Sequence, residues 1–141
     1  MDQPKIVLAL LGTAAKVTRR LDGSLSMIKG ISFSEYQMLA ALRDHPAAAA
    51  TRVDLAAAVG LTPSGVTRAL KPMEQLGFVE TAKDARDARK SLATLTPAGI
   101  ELVVDADGVV GDAIAELGGL DALTSSEREK FFQILSDLGS G

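Results

Sequence analysis

The sequence predicts a mainly α-helical fold carrying one small β-hairpin, and three observations predict it. Apolar residues recur at spacings of three and four over most of the 141-residue chain, the period of a helix. The composition is 47% AVILMFWYC, with many alanines and only 4% aromatic residues, which favours helices over a β-sandwich. Phe78 to Lys83 and Ser91 to Thr96 are β-favouring runs on either side of a charged loop, directly after a pair of short helices.

Pro4 to Lys29 reads as one long helix. Ile6, Leu10, Ala14, Val17, Leu21, Leu25 and Ile28 form a stripe longer than a small domain needs, the kind that packs against other long helices. Arg19 and Arg20 are open to solvation, to pairing with acidic partners or to contact with DNA, with solvation ranked first, and Gly30 reads as the stop. Ser32 and Glu35 have capping-box spacing and open a second helix with Tyr36, Leu39, Ala40 and Leu42 as its apolar positions. That helix ends near Asp44-His45-Pro46, because the residue before a proline avoids the helical region. His45 is the only histidine and has none of the partners a metal ligand or general base needs, so it reads as a loop residue. Ala47 to Ala50 read as an exposed loop leading into a brief strand. Thr51 to Asp54 form a second capping-box-like start, with Asp where Glu or Gln is usual.

Two short helices around a tight turn occupy Leu55 to Leu76. Leu55, Ala56 and Val59 share one face, and Gly60 suits the residue just past a helix, where φ is positive. Thr62 then supplies a capping hydroxyl, and Pro63 sits at the first helical position, where its missing N–H costs nothing. Val66, Leu70 and Met73 fall within one narrow arc. Ser64, Thr67, Arg68, Lys71 and Gln75 fall on the opposite arc, a hydroxylic and basic face read as free of carboxylates. Such a face suits a helix lying in a DNA major groove, where hydroxyls, Arg and Lys meet base edges and phosphates. Pro72 removes a bond to the Arg68 carbonyl and is expected to kink this helix away from its solvent side without breaking it.

Gly77 ends the helix and the hairpin follows, in the place of a wing. Its loop, Asp84 to Lys90, puts Arg86 near the tip, where a guanidinium can enter a minor groove and sense its width. Asp84 and Asp87 lie within reach to brace the arginines by ion pairing. Thr96-Pro97 opens another helix, with Ile100, Val103, Val104, Val110, Ile114 and Leu117 as its apolar face. Gly108 and Gly111 either weaken it or mark a close helix approach, and Gly118-Gly119 breaks it. Thr124 to Glu127 cap a last helix with Phe131, Ile134, Leu135 and Leu138 apolar. The division expected is a helical dimerisation region at 1–30 and 97–141, around a winged helix-turn-helix domain at 31–96.

Charge and composition exclude several classes. The net charge is −3, but residues 43–95 carry eight Lys/Arg against six Asp/Glu, and residues 96–141 carry two against nine. The acidity is therefore C-terminal and the middle mildly basic, which predicts modest, salt-sensitive affinity for DNA. No apolar run approaches the roughly 20 residues of a membrane span, and none resembles a secretory leader. The expected location is the cytoplasm. Without cysteine there is no disulfide, thiol switch or thiolate metal site. No nucleophile with a positioned base, metal-ligand cluster or phosphate-cradling loop is present, so neither an enzyme nor a cofactor is expected.

The order of these elements, with TPSGVTRALKPMEQLGFV, the wing DARDAR from Asp84 to Arg89, and the LTPAG run from Leu95 to Gly99, resembles the MarR family of winged-helix transcriptional regulators. The resemblance covers nearly the whole chain, and its strongest part is the wing motif with the LTPAG run. It implies a homodimer that binds double-stranded DNA at a pseudo-palindromic site, with half-sites about one helical turn, roughly 10 bp, apart. It carries DNA contact to Ser64, Thr67, Arg68 and Lys71 and to Arg86 on the wing, with Thr62 and Pro63 near phosphates and Asp84, Asp87 and Arg89 in support. It also implies a small apolar or phenolic ligand between dimer platform and winged domain, for which Met27, Ile28, Phe33 and Tyr36 are the candidates beside their role as plain core. The alternative is a winged-helix module that binds protein and leaves DNA untouched.

Overall fold

The computed structural model describes residues 1–141. Six helices, α1 (Gln3–Lys29), α2 (Phe33–Asp44), α3 (Arg52–Val59), α4 (Pro63–Gln75), α5 (Pro97–Ala115) and α6 (Ser125–Gly139), surround a three-stranded antiparallel sheet. The strands β1 (Ala49–Thr51), β2 (Val79–Lys83) and β3 (Ser91–Leu95) lie in the order β1-β3-β2. The brief strand, β1, begins within the alanine run and not after it: Ala49 and Ala50, expected in an exposed loop, pair with β3, and Ala50 is buried opposite Ala93. The β2–β3 hairpin has Val79 opposite Leu95 and Thr81 opposite Ala93.

Local chemistry fixes the helix boundaries. Asp2 caps α1, one residue earlier than Pro4 suggests, and Gly30 closes it at φ 69°. Ser32 and Glu35 form the full reciprocal capping box of α2. Thr51 caps α3 by accepting from the Asp54 amide, and Gly60 ends it at φ 70°. The His45 ring lies 2.8 Å from the Ala41 carbonyl and finishes the last turn of α2. The loop after it holds Ala47 and Ala48 in the left-handed region, at φ 57° and 51°, where alanine carries steric cost.

One core joins the helices to the sheet. Leu25, Met38, Leu42, Leu55, Leu70, Met73 and Val103 are almost wholly removed from water. Each such side chain contributes about 1.5–3 kcal/mol relative to exposure. The N-terminus of α5 is held against the start of β2: Thr96 donates its hydroxyl to the Gly77 carbonyl at 2.7 Å, and its amide to that of Phe78 at 3.1 Å. A Cβ on Gly99 would stand 2.2 Å from the Phe78 carbonyl oxygen, so only glycine permits this approach.

The outer helices sharpen four of the readings from sequence. Arg20 is not simply solvated, since it forms an ion pair of 3.0 Å with Glu116 of α5. The apolar face expected of α5 divides between core and surface. Val103 is buried with Ala106 and Ala113, whereas Ile100, Val104 and Ile114 are exposed on the isolated chain. Gly108 and Gly111 mark no close approach within the chain, because a Cβ on either meets nothing within 4 Å. The stripe of α1 is likewise buried only in part, at Leu21 and Leu25, with Leu10 and Val17 half-buried and Ile6, Ala14 and Ile28 exposed. Helix α6 buries no residue and meets the other helices and strands only marginally.

Two polar links tie α2 to the long helices. The Asp22 carboxylate on α1 accepts from the Phe33 amide at 2.8 Å. Asp107 on α5 accepts from the Tyr36 hydroxyl at 2.7 Å and is paired with Arg43.

Candidate nucleic-acid interface

Helix α4 presents two unlike faces. Val66, Leu70 and Met73 are buried, as the spacing predicts. Ser64, Thr67, Arg68, Lys71 and Gln75 are all exposed. Pro72 is exposed too, and the helix runs through it to Gln75 without a break. Thr62 accepts from the Gly65 amide at 3.0 Å, and Pro63 has no N–H. The Ser64 amide is therefore the donor of the first turn left for an anion, beside the positive end of the helix dipole.

The polar face is less uniform than the sequence suggests. Glu74 lies next to Thr67 around the helix, so the face has a carboxylate at its rim. That carboxylate is half-buried and occupied: Arg52 of α3 reaches it at 3.6 Å and Thr81 of β2 donates to it. Thr67 is occupied as well, donating back to the Pro63 carbonyl at 3.1 Å and accepting from Arg52 Nε at 3.0 Å. Arg68 and Lys71 enter no hydrogen bond or ion pair, so their charges face solvent uncompensated. Nothing in residue type or spacing marked Arg52, Glu74 or Thr81, because their meeting depends on how α3, α4 and β2 pack.

The wing tip is built from two successive Asp-Ala-Arg units. Asp84 accepts from the Arg86 amide at 2.9 Å, and Asp87 from the Arg89 amide at 3.0 Å, each a local turn that shapes the loop. The expected bracing by ion pairing holds at one unit. Arg89 Nε lies 3.1 Å from Asp87, and hydrogen bonds from the side chain and amide of Arg89 hold the Asp87 carboxyl below the usual carboxylate range. Asp84 instead supports Arg86 through the backbone, leaving the Arg86 guanidinium free and exposed. The Arg89 side chain is 92% exposed, so Asp87 orients a guanidinium that still points to solvent.

The residues singled out for a ligand divide into two groups. Phe33 and Tyr36 stack with centroids 6.4 Å apart and line a hollow of about 510 Å3 with Ala40, His45 and Val59. Met27 and Ile28 lie outside that hollow and are strongly exposed.

Comparison with known proteins follows the same lines. Residues 29–90 match the model of the MarR family. No curated protein matches the chain in sequence. Among solved structures, a MarR family transcriptional regulator from Streptomyces coelicolor in complex with DNA superposes with a TM-score of 0.88 at 22% identity, covering 99% of this chain and 86% of that one. The S. aureus MepR–DNA complex gives 0.80 at 21% identity, covering 99% and 98%. Bordetella bronchiseptica BpsR, whose DNA binding is regulated by 6-hydroxynicotinic acid, gives 0.82 at 21% identity, covering 96% and 94%. These likenesses show that the fold is shared along the whole chain.

Proposed function

We infer that this chain, whose residues 29–90 match the MarR family model, is a sequence-specific transcriptional regulator of that family that binds DNA as a homodimer. The observation that carries the reading is the α4 surface. Its inner face is sealed into the core while Arg68 and Lys71 stand exposed and unpaired on the other. A cationic, hydroxyl-bearing face on a rigid helix is what major-groove recognition requires. Ser64, Arg68 and Lys71 are assigned to the groove, with Thr67 held in place by Arg52. Thr62 and Pro63 lie against phosphate, and Arg86 takes the minor groove. Arg89, set by Asp87, joins Arg86 as a second wing contact, and Asp84 shapes the loop. Two of the similar structures are complexes with DNA, which favours this reading over a protein-binding winged helix.

Residues 31–96 are taken as the DNA-binding unit, and 1–30 with 97–141 as the dimer platform. The platform reading rests on Leu8, Leu11, Val104, Phe132, Ile134 and Leu138, large apolar side chains left exposed on the single chain. We take the protein to repress by occupying its operator, in the cytoplasm and without enzymatic activity. A small apolar or phenolic ligand at Phe33 and Tyr36 would relieve repression by shifting α2 against α5. No helix is long and apolar enough to cross a membrane.

The test is selection of bound sequences from a random DNA pool, followed by affinity measurements at several salt concentrations. Arg68→Ala is expected to cost about 1–3 kcal/mol and to relax the preference at one base position per half-site. Failure of the folded dimer to enrich any sequence would leave the protein-binding alternative.

A further inference from the structure

The Glu74 carboxylate is the meeting point of three elements. It stands on α4 at the second-to-last residue of the helix, and its Oε1 accepts from Thr81 of β2 and faces Arg52 of α3 at 3.6 Å. Arg52 also donates to Thr67, two turns earlier on α4. Arg52 and Glu74 are largely shielded, with side chains 24% and 32% exposed, so the pair is partly protected from solvent screening. Thr81 lies on the same face of β2 as Val79, the buried residue that anchors the strand. The other hydrogen bonds between α4 and the wing lie at its root, where the Phe78 amide donates to the Met73 carbonyl at 2.9 Å and the Gly77 amide to the Glu74 carbonyl at 3.1 Å.

We propose that Glu74 is a positioning residue that locks the recognition helix, the start of α3 and the wing strand into one rigid unit, so that α4 and the wing arginines meet adjacent grooves together. The proposal rests on the DNA-binding reading above. A wing fixed to α4 loses little conformational freedom on docking, whereas a wing that swings about its root gives up part of its binding energy to ordering. A carboxylate near a DNA-facing surface is electrostatically unfavourable for binding a polyanion. Electrostatics alone therefore predict tighter binding once Glu74 loses its charge, and positioning predicts weaker binding.

Thr81→Val tests this without changing charge or shape, and Thr81→Ser restores the hydroxyl. On the selected operator, Thr81→Val is expected to weaken binding about three- to tenfold and Thr81→Ser to recover it. Arg86→Ala should cost several-fold less in the Thr81→Val background than in the parent, because a loosened wing already delivers less. Full multiplication of the two losses, or parental affinity in Thr81→Val, overturns the proposal. Glu74→Gln is expected to bind more weakly, and tighter binding also overturns it. Amide hydrogen exchange on the free dimer decides the structural half independently of DNA. Faster exchange from Ala82 to Leu92 in Thr81→Val, with α1 and α5 unchanged, supports the lock, and unchanged exchange there overturns it. A protein that enriches no DNA but shows this exchange pattern keeps the lock and loses the DNA-binding reading.

Discussion

The Tyr36 hydroxyl donates a 2.7 Å hydrogen bond to Asp107, and Arg43, two turns further along α2, closes on the same carboxylate. This joins the winged region to α5 through one acidic group. Burial pushes the Tyr36 phenol up to about 12, helped by its bond to Asp107. Burial alone would raise Asp107, but the bonds from Arg43 and Tyr36 and the charge of Arg43 bring it below the usual carboxylate value.

Both shifts have a direction in pH. The raised phenol contributes stability that is complete below the ordinary tyrosine value of about 10 and is lost as pH climbs through about 12. The lowered carboxylate contributes stability that is complete above its ordinary value of about 4 and is lost as pH falls through its lower folded value. Tyr36 is the only tyrosine and there is no tryptophan, so ultraviolet titration reads it alone. Asp107→Asn is expected to bring the phenolate midpoint down toward the ordinary value while circular dichroism shows the fold intact. An unmoved midpoint would assign the whole shift to burial.

Gly99→Ala is expected to destabilise the protein by about 1–3 kcal/mol in denaturant unfolding, because its Cβ would collide with backbone that cannot turn aside. Gly108→Ala, with open space around it on this chain, should instead gain about 0.5–1 kcal/mol of helix propensity. A loss of dimer in Gly108→Ala would locate that glycine between the two protomers.

On the wing, Arg86→Ala should weaken operator binding by about tenfold and flatten the salt dependence by about one unit of slope. Arg89→Ala should weaken it too. Asp87→Ala leaves the charge of Arg89 but frees its orientation, so affinity should drop while the salt slope stays unchanged. An affinity unaffected by Asp87→Ala would remove orientation from the account.

Ile134→Asp places a charge on an apolar face that α6 cannot bury in its own chain. Sedimentation should show monomer, and operator affinity should fall about 100-fold through loss of the second half-site. A dimer that persists would move the interface away from α6.

The elements were legible where local chemistry sets them. Capping boxes at Ser32 and Thr124, glycine stops at Gly30 and Gly60, and the Thr-Pro openings of α4 and α5 are written in runs of four residues or fewer. The two-faced character of α4 followed from spacing alone. What the sequence concealed is non-local. The Asp107 junction spans 71 residues, and Arg52 meets Thr67 across 15. Glycine at 99 looked like part of a motif, but its reason is a carbonyl on another element. Which residues of α5 turn inward was not legible either, because apolar spacing cannot separate a face buried in one chain from a face awaiting another.

The bare surface of α6 and of the first half of α1 has a consequence for dosage. If these segments find shelter only in a second copy, assembly and completion of the fold are one event, and its equilibrium depends on how much protein the cell holds. Below the dimer dissociation constant, operator occupancy then rises with the square of protein abundance, so a modest change in synthesis becomes a larger change at the promoter.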